Sequence, residues 1–388
     1  MASKDPAEGF TAITKSAISL TTQFENLTHS IALDKVSPNH ADSTASNVEI
    51  SADVDPLALA HDSASLIKAH TTKLSLLIIN KPFTPSAIAK VLRELVAGPI
   101  PGMASAVQIC TAIKYTAVAR VELAWRCHRV FKELRAFLEI IPQNGKVLPA
   151  HLKNGVKGDK GSLVSTGVVW AACDDVILLK KIGISGLLIK KVEEYRDTLQ
   201  DVLDELKGWS LETDEDDEDE DKDDQDDDVQ NVTDKLKDSH LSTQDMIDDL
   251  MSSQHIPRDD PDNIRERLDL CLKQLRLTTL FYSALIKRRL KSMPPLTAND
   301  AHDTAARVDK TFPLLKQLTN DYGEVALAFY DLDPDAIDKT MGACYKHATE
   351  ATGPVRPKWG KQDPSDDEFS AWCQKYTSSL KEFEPNSV

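Results

Sequence analysis

Apolar side chains recur three or four residues apart along most of the chain. This is the period of one helical face, and it constrains the fold more than any other feature. Phe10, Ile13, Ala17, Leu20, Phe24, Leu27 and Ile31 form a first stripe, and Leu57, Ala60, Ala64, Ile67, Thr71, Leu74 and Ile78 a second. Thr84-Pro85 starts a shorter helix with proline at its first position, and Gly98-Pro99 ends it. The spacing then predicts a single long helix over 103–140, a helix over 164–181 capped by Ser162, and another after Gly183 that stops at Gly208. Further on, Ile264, Leu268, Cys271, Leu275, Tyr282 and Leu285 mark a helix. Ala305, Val308, Phe312, Leu315, Tyr322, Ala326 and Phe329 mark its antiparallel partner, and two short helices follow near 335–348 and 366–383. No convincing strand alternation or long-period repeat interrupts this pattern. The expected fold is all-α: helical bundles separated by a disordered acidic insert.

The insert is where the charge lies. Residues 212–228 hold 14 carboxylates and one lysine, Lys222, so they carry −13 of the net charge of −16. A block of like charge buries no apolar surface and repels itself, so it is expected to stay extended. The remainder, with 41% hydrophobic residues in the chain as a whole, has the composition of packed cores. The expected division is an N-terminal bundle over 8–208, an acidic linker over 209–259 with a short helix at 243–251, and a C-terminal bundle over 260–383.

Several function classes lose support. The longest strongly apolar runs, such as Leu74 to Ile79 and Val168 to Cys173, fall short of the roughly 20 residues that span a bilayer. The polar start, Met1 to Phe10, lacks the apolar core of a secretion signal, which points to a reducing compartment where the six scattered cysteines are buried thiols. So acidic a chain is a poor direct ligand for nucleic acid. No cofactor or metal is expected: the His-Glu-x-x-His and Glu-x-x-His signatures are missing, and Cys344 with His347 makes only half a zinc site. Asp174 and Asp175 could serve acid–base chemistry, but capping or solvent-facing roles explain them more simply.

Features suited to binding remain. Glu215, Asp216, Asp217 and Glu218 concentrate a negative field that can hold a basic partner. Met246, Ile247, Leu250 and Met251 follow a capping box at Ser242-Thr243-Gln244-Asp245 and make a short amphipathic element of the kind that fills a groove. Lys287, Arg288, Arg289 and Lys291 form the densest basic cluster, readable as a nuclear-import patch or as charges favoured at a helix C-terminus. Arg93-Glu94-Leu95 has the Arg-x-Leu form of a cyclin-docking peptide, but its leucine belongs to an amphipathic stripe.

The segment Gly167-Val168-Val169-Trp170-Ala171-Ala172-Cys173-Asp174, with the long helices before it and the acidic insert after Gly208-Trp209, resembles the cyclin-D1-binding protein 1-like, or cyclin-D-interacting, family. The resemblance covers about residues 57–345, with Gly167, Trp170, Ala172, Cys173 and Asp174 carrying the motif in a structural role. It implies a vinculin- or talin-like five-helix bundle plus a smaller C-terminal bundle, no catalysis, and a cyclin-binding negative regulator of cell-cycle progression and transcription in nucleus and cytoplasm. A helix-loop-helix transcription factor is a further partner it implies. A vinculin-type cytoskeletal adaptor and an acidic chaperone for basic proteins are the alternatives. The segment after Gly353, with Trp359 and Trp372, departs from the family pattern.

Overall fold

The computed structural model describes residues 6–33, 54–149, 161–211, 256–257, 259–296, 301–360 and 367–384. Regular structure among these is helical throughout, as the periodicity requires. The helices are α1 (Pro6–Leu33), α2 (Pro56–Ile79), α3 (Pro85–Ala97), α4 (Pro99–Ile109), α5 (Ala112–Tyr115), α6 (Ala117–Glu139) and α7 (Ser162–Trp209). After these come α8 (Ile264–Arg288), α9 (Ala301–Tyr330), α10 (Pro334–Val355) and α11 (Glu368–Leu380). Glu215, Asp216, Asp217, Glu218, Met246, Ile247, Leu250 and Met251 lie outside the described residues, as does the expected short helix at 243–251.

Contacts divide the chain into two compact units, Met1–Ile189 with Met293–Asp309, and Lys190–Ser292 with Lys310–Val388. The division falls inside α7 and inside α9. Residues 190–208, read from sequence with the N-terminal bundle, belong to the second unit, and 293–309 belong to the first.

In the first unit α1 and α6 pair antiparallel. Phe24 meets Phe131 at a ring separation of 5.9 Å, and Arg135 binds Glu25 at 2.7 Å. The inner line of α1 alternates apolar residues with Thr14, Thr21 and Thr28, whose hydroxyls donate to the carbonyls of Phe10, Ala17 and Phe24 one turn back. A hydroxyl satisfied within its own helix can be buried at little cost, so the threonines act as core residues that an apolar count overlooks. In α2 every member of the expected stripe is buried.

The long helix expected over 103–140 is three helices. The backbone turns at Cys110 (φ −77°, ψ 74°) and again at Thr116 (φ 80°, ψ 147°), a conformation unusual for a β-branched residue. Two caps hold the second turn. The Thr116 hydroxyl accepts from the Ala119 N–H at 3.1 Å, and the Asp309 carboxylate of α9 accepts from the Ala117 N–H at 2.8 and 2.9 Å. A partner 192 positions away leaves no local trace in the sequence.

The second unit is knotted around Arg289, whose side chain is buried. Its Nε donates to the Val355 carbonyl at 2.9 Å and its Nη2 to the Arg356 carbonyl at 2.6 Å. Nη1 lies 2.7 Å from Asp367, and the guanidinium stands 4.6 Å over the Phe369 ring. Trp359 Nε1 donates to the Arg289 carbonyl at 2.8 Å, so the same residue also fastens the turn after α10. Beside this knot Phe281, Tyr376, Trp372 and Phe369 stack in sequence. Tyr282 donates to the Leu315 carbonyl at 2.7 Å, and Thr278 bonds Tyr322 at 3.0 Å, which sets α8 antiparallel to α9. Arg289 is therefore committed to the fold, and Lys287, Arg288 and Lys291 are the members of the basic cluster on the surface.

Two expectations follow. Burial pushes the Asp309 carboxyl up to about 6, against the N–H bonds that pull it down. The folded chain then holds that proton more tightly than the unfolded chain does, so stability falls as pH rises from about 4 to about 6, by roughly 2–3 kcal/mol. Asp309→Asn should flatten this slope in urea titrations at pH 4.5 and 7.5, and parallel profiles for the two proteins would contradict it. Arg289→Met strands the Asp367 carboxylate and should cost about 3–5 kcal/mol. Arg289→Lys should recover little of this, because an ammonium cannot bridge three acceptors in one plane; calorimetry of the three proteins measures both.

Candidate functional site

The helix that carries the Gly167–Asp174 segment is the first arm of α7, residues 162–182, which ends where Gly183 takes φ +67°. It is bonded to α2 along one flank and to α6 along the other. On the α2 side Lys68 binds Asp174 at 2.6 and 2.7 Å, the Thr166 hydroxyl donates to Ser75 at 3.0 Å, and Lys180 pairs with Asp55. The order of these pairs makes the two helices antiparallel. On the α6 side Arg129 binds the Asp175 carboxylate at 2.6 Å, and Arg126 donates to the Asp175 carbonyl at 2.6 Å while pairing with Glu122 at 2.8 Å.

The inner face of the arm, Val169, Ala172, Cys173, Val176 and Leu179, is sealed in the core. Burial, reinforced by the charge of Asp174, pushes the Cys173 thiol up to about 12, and burial likewise raises Cys110 to about 12 and Cys127 further. These thiols are packing groups, not nucleophiles. All six cysteines are free and buried.

The outer face is also apolar. Leu163, Val164, Trp170 and Leu178 are 49, 48, 37 and 43% exposed, and Gly167 and Ala171 are exposed between them. Leu163, Gly167, Trp170, Asp174 and Leu178 follow the spacing of a single helical stripe, opposite the buried one. By length and composition α7 is apolar enough to cross a membrane. Its inner stripe is core, and the outer stripe supplies the apolar excess. The Lys68 ammonium, 6.0 Å from the Trp170 ring centre, sits at the outer limit of a cation–π contact.

Of the segment singled out in the sequence, Ala172 and Cys173 do structural work, whereas Gly167, Trp170 and Asp174 reach the surface. Leu163, Ala171, Leu178 and Lys68 join them without having been singled out. Their signal was available: a helix apolar on both faces must be buried twice or covered by something. The remaining candidates assemble no chemistry. His347 is held by Asp321 at 2.6 Å while Cys344 faces the core, Leu95 of the Arg-x-Leu segment is fully buried, and Asp174 and Asp175 are in ion pairs. No group of three or more His, Cys, Asp or Glu able to hold a metal occurs among the described residues.

Fold and surface together define a protein that is helical among the described residues and carries an exposed apolar strip on the first arm of α7. Residues 60–212 match the family described as Grap2 and cyclin-D-interacting, N-terminal, and the strip falls inside that match, so the resemblance read from Gly167–Asp174 holds over this span. An uncharacterized protein of Schizosaccharomyces pombe is 28% identical over 155 residues, 40% of this chain and 44% of the relative; the chain therefore spans less than half of that protein's length. No solved structure matches.

The burial of the thiols gives a direct check. In the folded protein at pH 8 a thiol reagent should leave all six cysteines unmodified over minutes, and denaturant should release all six. Rapid modification of Cys173 in the folded chain would show that the arm does not pack as described.

Proposed function

We propose that this chain is a non-enzymatic interaction protein that binds a D-type cyclin and restrains cell-cycle progression and transcription, acting in nucleus and cytoplasm. The observation that carries the reading is the coincidence of two independent facts. The family match to residues 60–212 names cyclin-D interaction, and the same residues contain an apolar helical face that core packing leaves uncovered. A binding surface of this kind draws its energy from a few desolvated aromatic and aliphatic anchors, and Trp170 with its leucine neighbours is suited to that role. A helix-loop-helix factor, the other partner implied by resemblance, would use the same type of apolar surface.

Titration calorimetry of the full chain with a purified D-type cyclin tests the reading. Saturable binding of about micromolar strength or tighter, equivalent to about −8 kcal/mol, is the expected result, and it should persist when residues 212–228 are deleted. Absence of binding, or binding that vanishes with the acidic run and reappears with any basic protein, would contradict it in favour of an acidic chaperone.

A further inference from the structure

Two imidazoles meet at the surface where α1 and α6 pack. His29 of α1 and His128 of α6 stand with their ring centres 4.9 Å apart and their planes tilted by 36°. Trp125, one turn before His128, lies edge-on to both rings, at 5.5 and 5.7 Å. The tilt between the imidazoles is neither the offset-parallel nor the edge-on arrangement that packed rings prefer. The other histidines whose side chains are described have different surroundings. His61 bonds its neighbour Asp62, His70 is buried 3.6 Å from Glu94, and His347 is held by the buried Asp321.

The hydrogen bonding of the pair fixes what it can hold. His128 Nδ1 lies 3.1 Å from the Glu25 carbonyl oxygen. A carbonyl only accepts, so Nδ1 carries the proton and the lone pair of the neutral ring sits on Nε2. A ring N–H given to a backbone carbonyl is the bond that orients metal-binding histidines and makes the other nitrogen a better ligand. The spacing agrees with that chemistry. Two imidazoles bound to one ion at about 2.1 Å and at the tetrahedral angle have ring centres about 5 Å apart. His128 is half-buried and His29 is exposed, so the pair is open to an ion from solvent. Of the cations nearby on α6, Arg129 is bound by Asp175 and Arg135 by Glu25, and Lys132 is exposed and free to turn into water. Two nitrogen ligands are fewer than the roughly four of a closed zinc site. Water or a group from a partner therefore completes the shell, and the ion exchanges.

We propose that His29 and His128 form a chelating site for a divalent transition ion of the imidazole-binding class, copper or zinc, which clips α1 to α6. The same pair of helices is already joined by Phe24 against Phe131 and by Arg135 on Glu25. The ion adds a tie in the last turns of α1, the helix that precedes the family match at residues 60–212. Copper binds more tightly than zinc, as the order of affinities for a given nitrogen site requires. Magnesium and calcium, which take oxygen ligands, do not bind. The site is independent of the cyclin reading.

The full reduced chain is titrated with zinc chloride by calorimetry and with copper chloride by tryptophan fluorescence. A single ion per chain and quenching by copper are the expected results. Trp125→Phe should lose most of the quenching while its zinc affinity is little changed. His29→Gln and His128→Gln should each weaken zinc binding about 100-fold, and the double variant no further, because either loss alone breaks the chelate. His29 is exposed, and a glutamine amide at position 128 can still donate to the Glu25 carbonyl, so ion-free melting should match the wild type in all three. Unchanged zinc affinity in either single variant, or a double variant whose loss is the product of the two singles, means that the rings bind separately or only pack, and overturns the proposal. Absence of saturable binding to the wild type, or tight binding that survives in the double variant, overturns it as well.

Discussion

The clamping of the first arm of α7 between α2 and α6 is the interaction on which the exposed apolar face depends. Val169, Cys173, Val176 and Leu179 bury its inner stripe, and that burial supplies most of the free energy. The ion pairs Lys68–Asp174 and Arg129–Asp175 lie at the rim, partly exposed, and each is worth about 1 kcal/mol or less. Their larger effect is positional. They fix the rotation of the arm about its own axis, so that the second apolar stripe, with Trp170 at its centre, is turned outward and is exposed among the described residues.

Helices are the part of this protein that sequence reveals best. The stripes in α2, α8 and α9 appear in the structure residue for residue, because a period of 3.6 is a local property of the chain. The failures share one cause. The break at Cys110–Thr116 is held by Asp309, and Arg289 is buried by acceptors that arrive from α10 and α11. Both depend on partners far away in sequence, so 103–140 reads as one helix and Arg289 as one more charge of the basic cluster. The threonines of α1 mislead in the opposite sense, since a hydroxyl bonded to its own helix is polar in composition and apolar in effect.

The exposed strip was half legible. Gly167, Trp170 and Asp174 could be picked out from their segment, but the segment by itself does not say which of its residues face inward. Only the pairing with Lys68 and Ser75 on one flank and Arg129 on the other assigns Ala172 and Cys173 to the core and leaves Gly167 and Trp170 outside. The five therefore divide by face: Ala172 and Cys173 pack inward, Asp174 ties the arm to Lys68, and Gly167 and Trp170 lie on the exposed side.

Under the proposed function, that surface connects the fold to the partner. A rigid helix held on both flanks offers a preorganised face, so a partner orders little of it on binding and retains more of the contact energy. The most direct test puts a photo-crosslinking amino acid in place of Trp170 and illuminates the full chain with a purified D-type cyclin. Cross-links to one helical segment of the cyclin are the expected result. Undiminished cyclin binding with no cross-link from that position would contradict the assignment of the α7 face as the recognition surface.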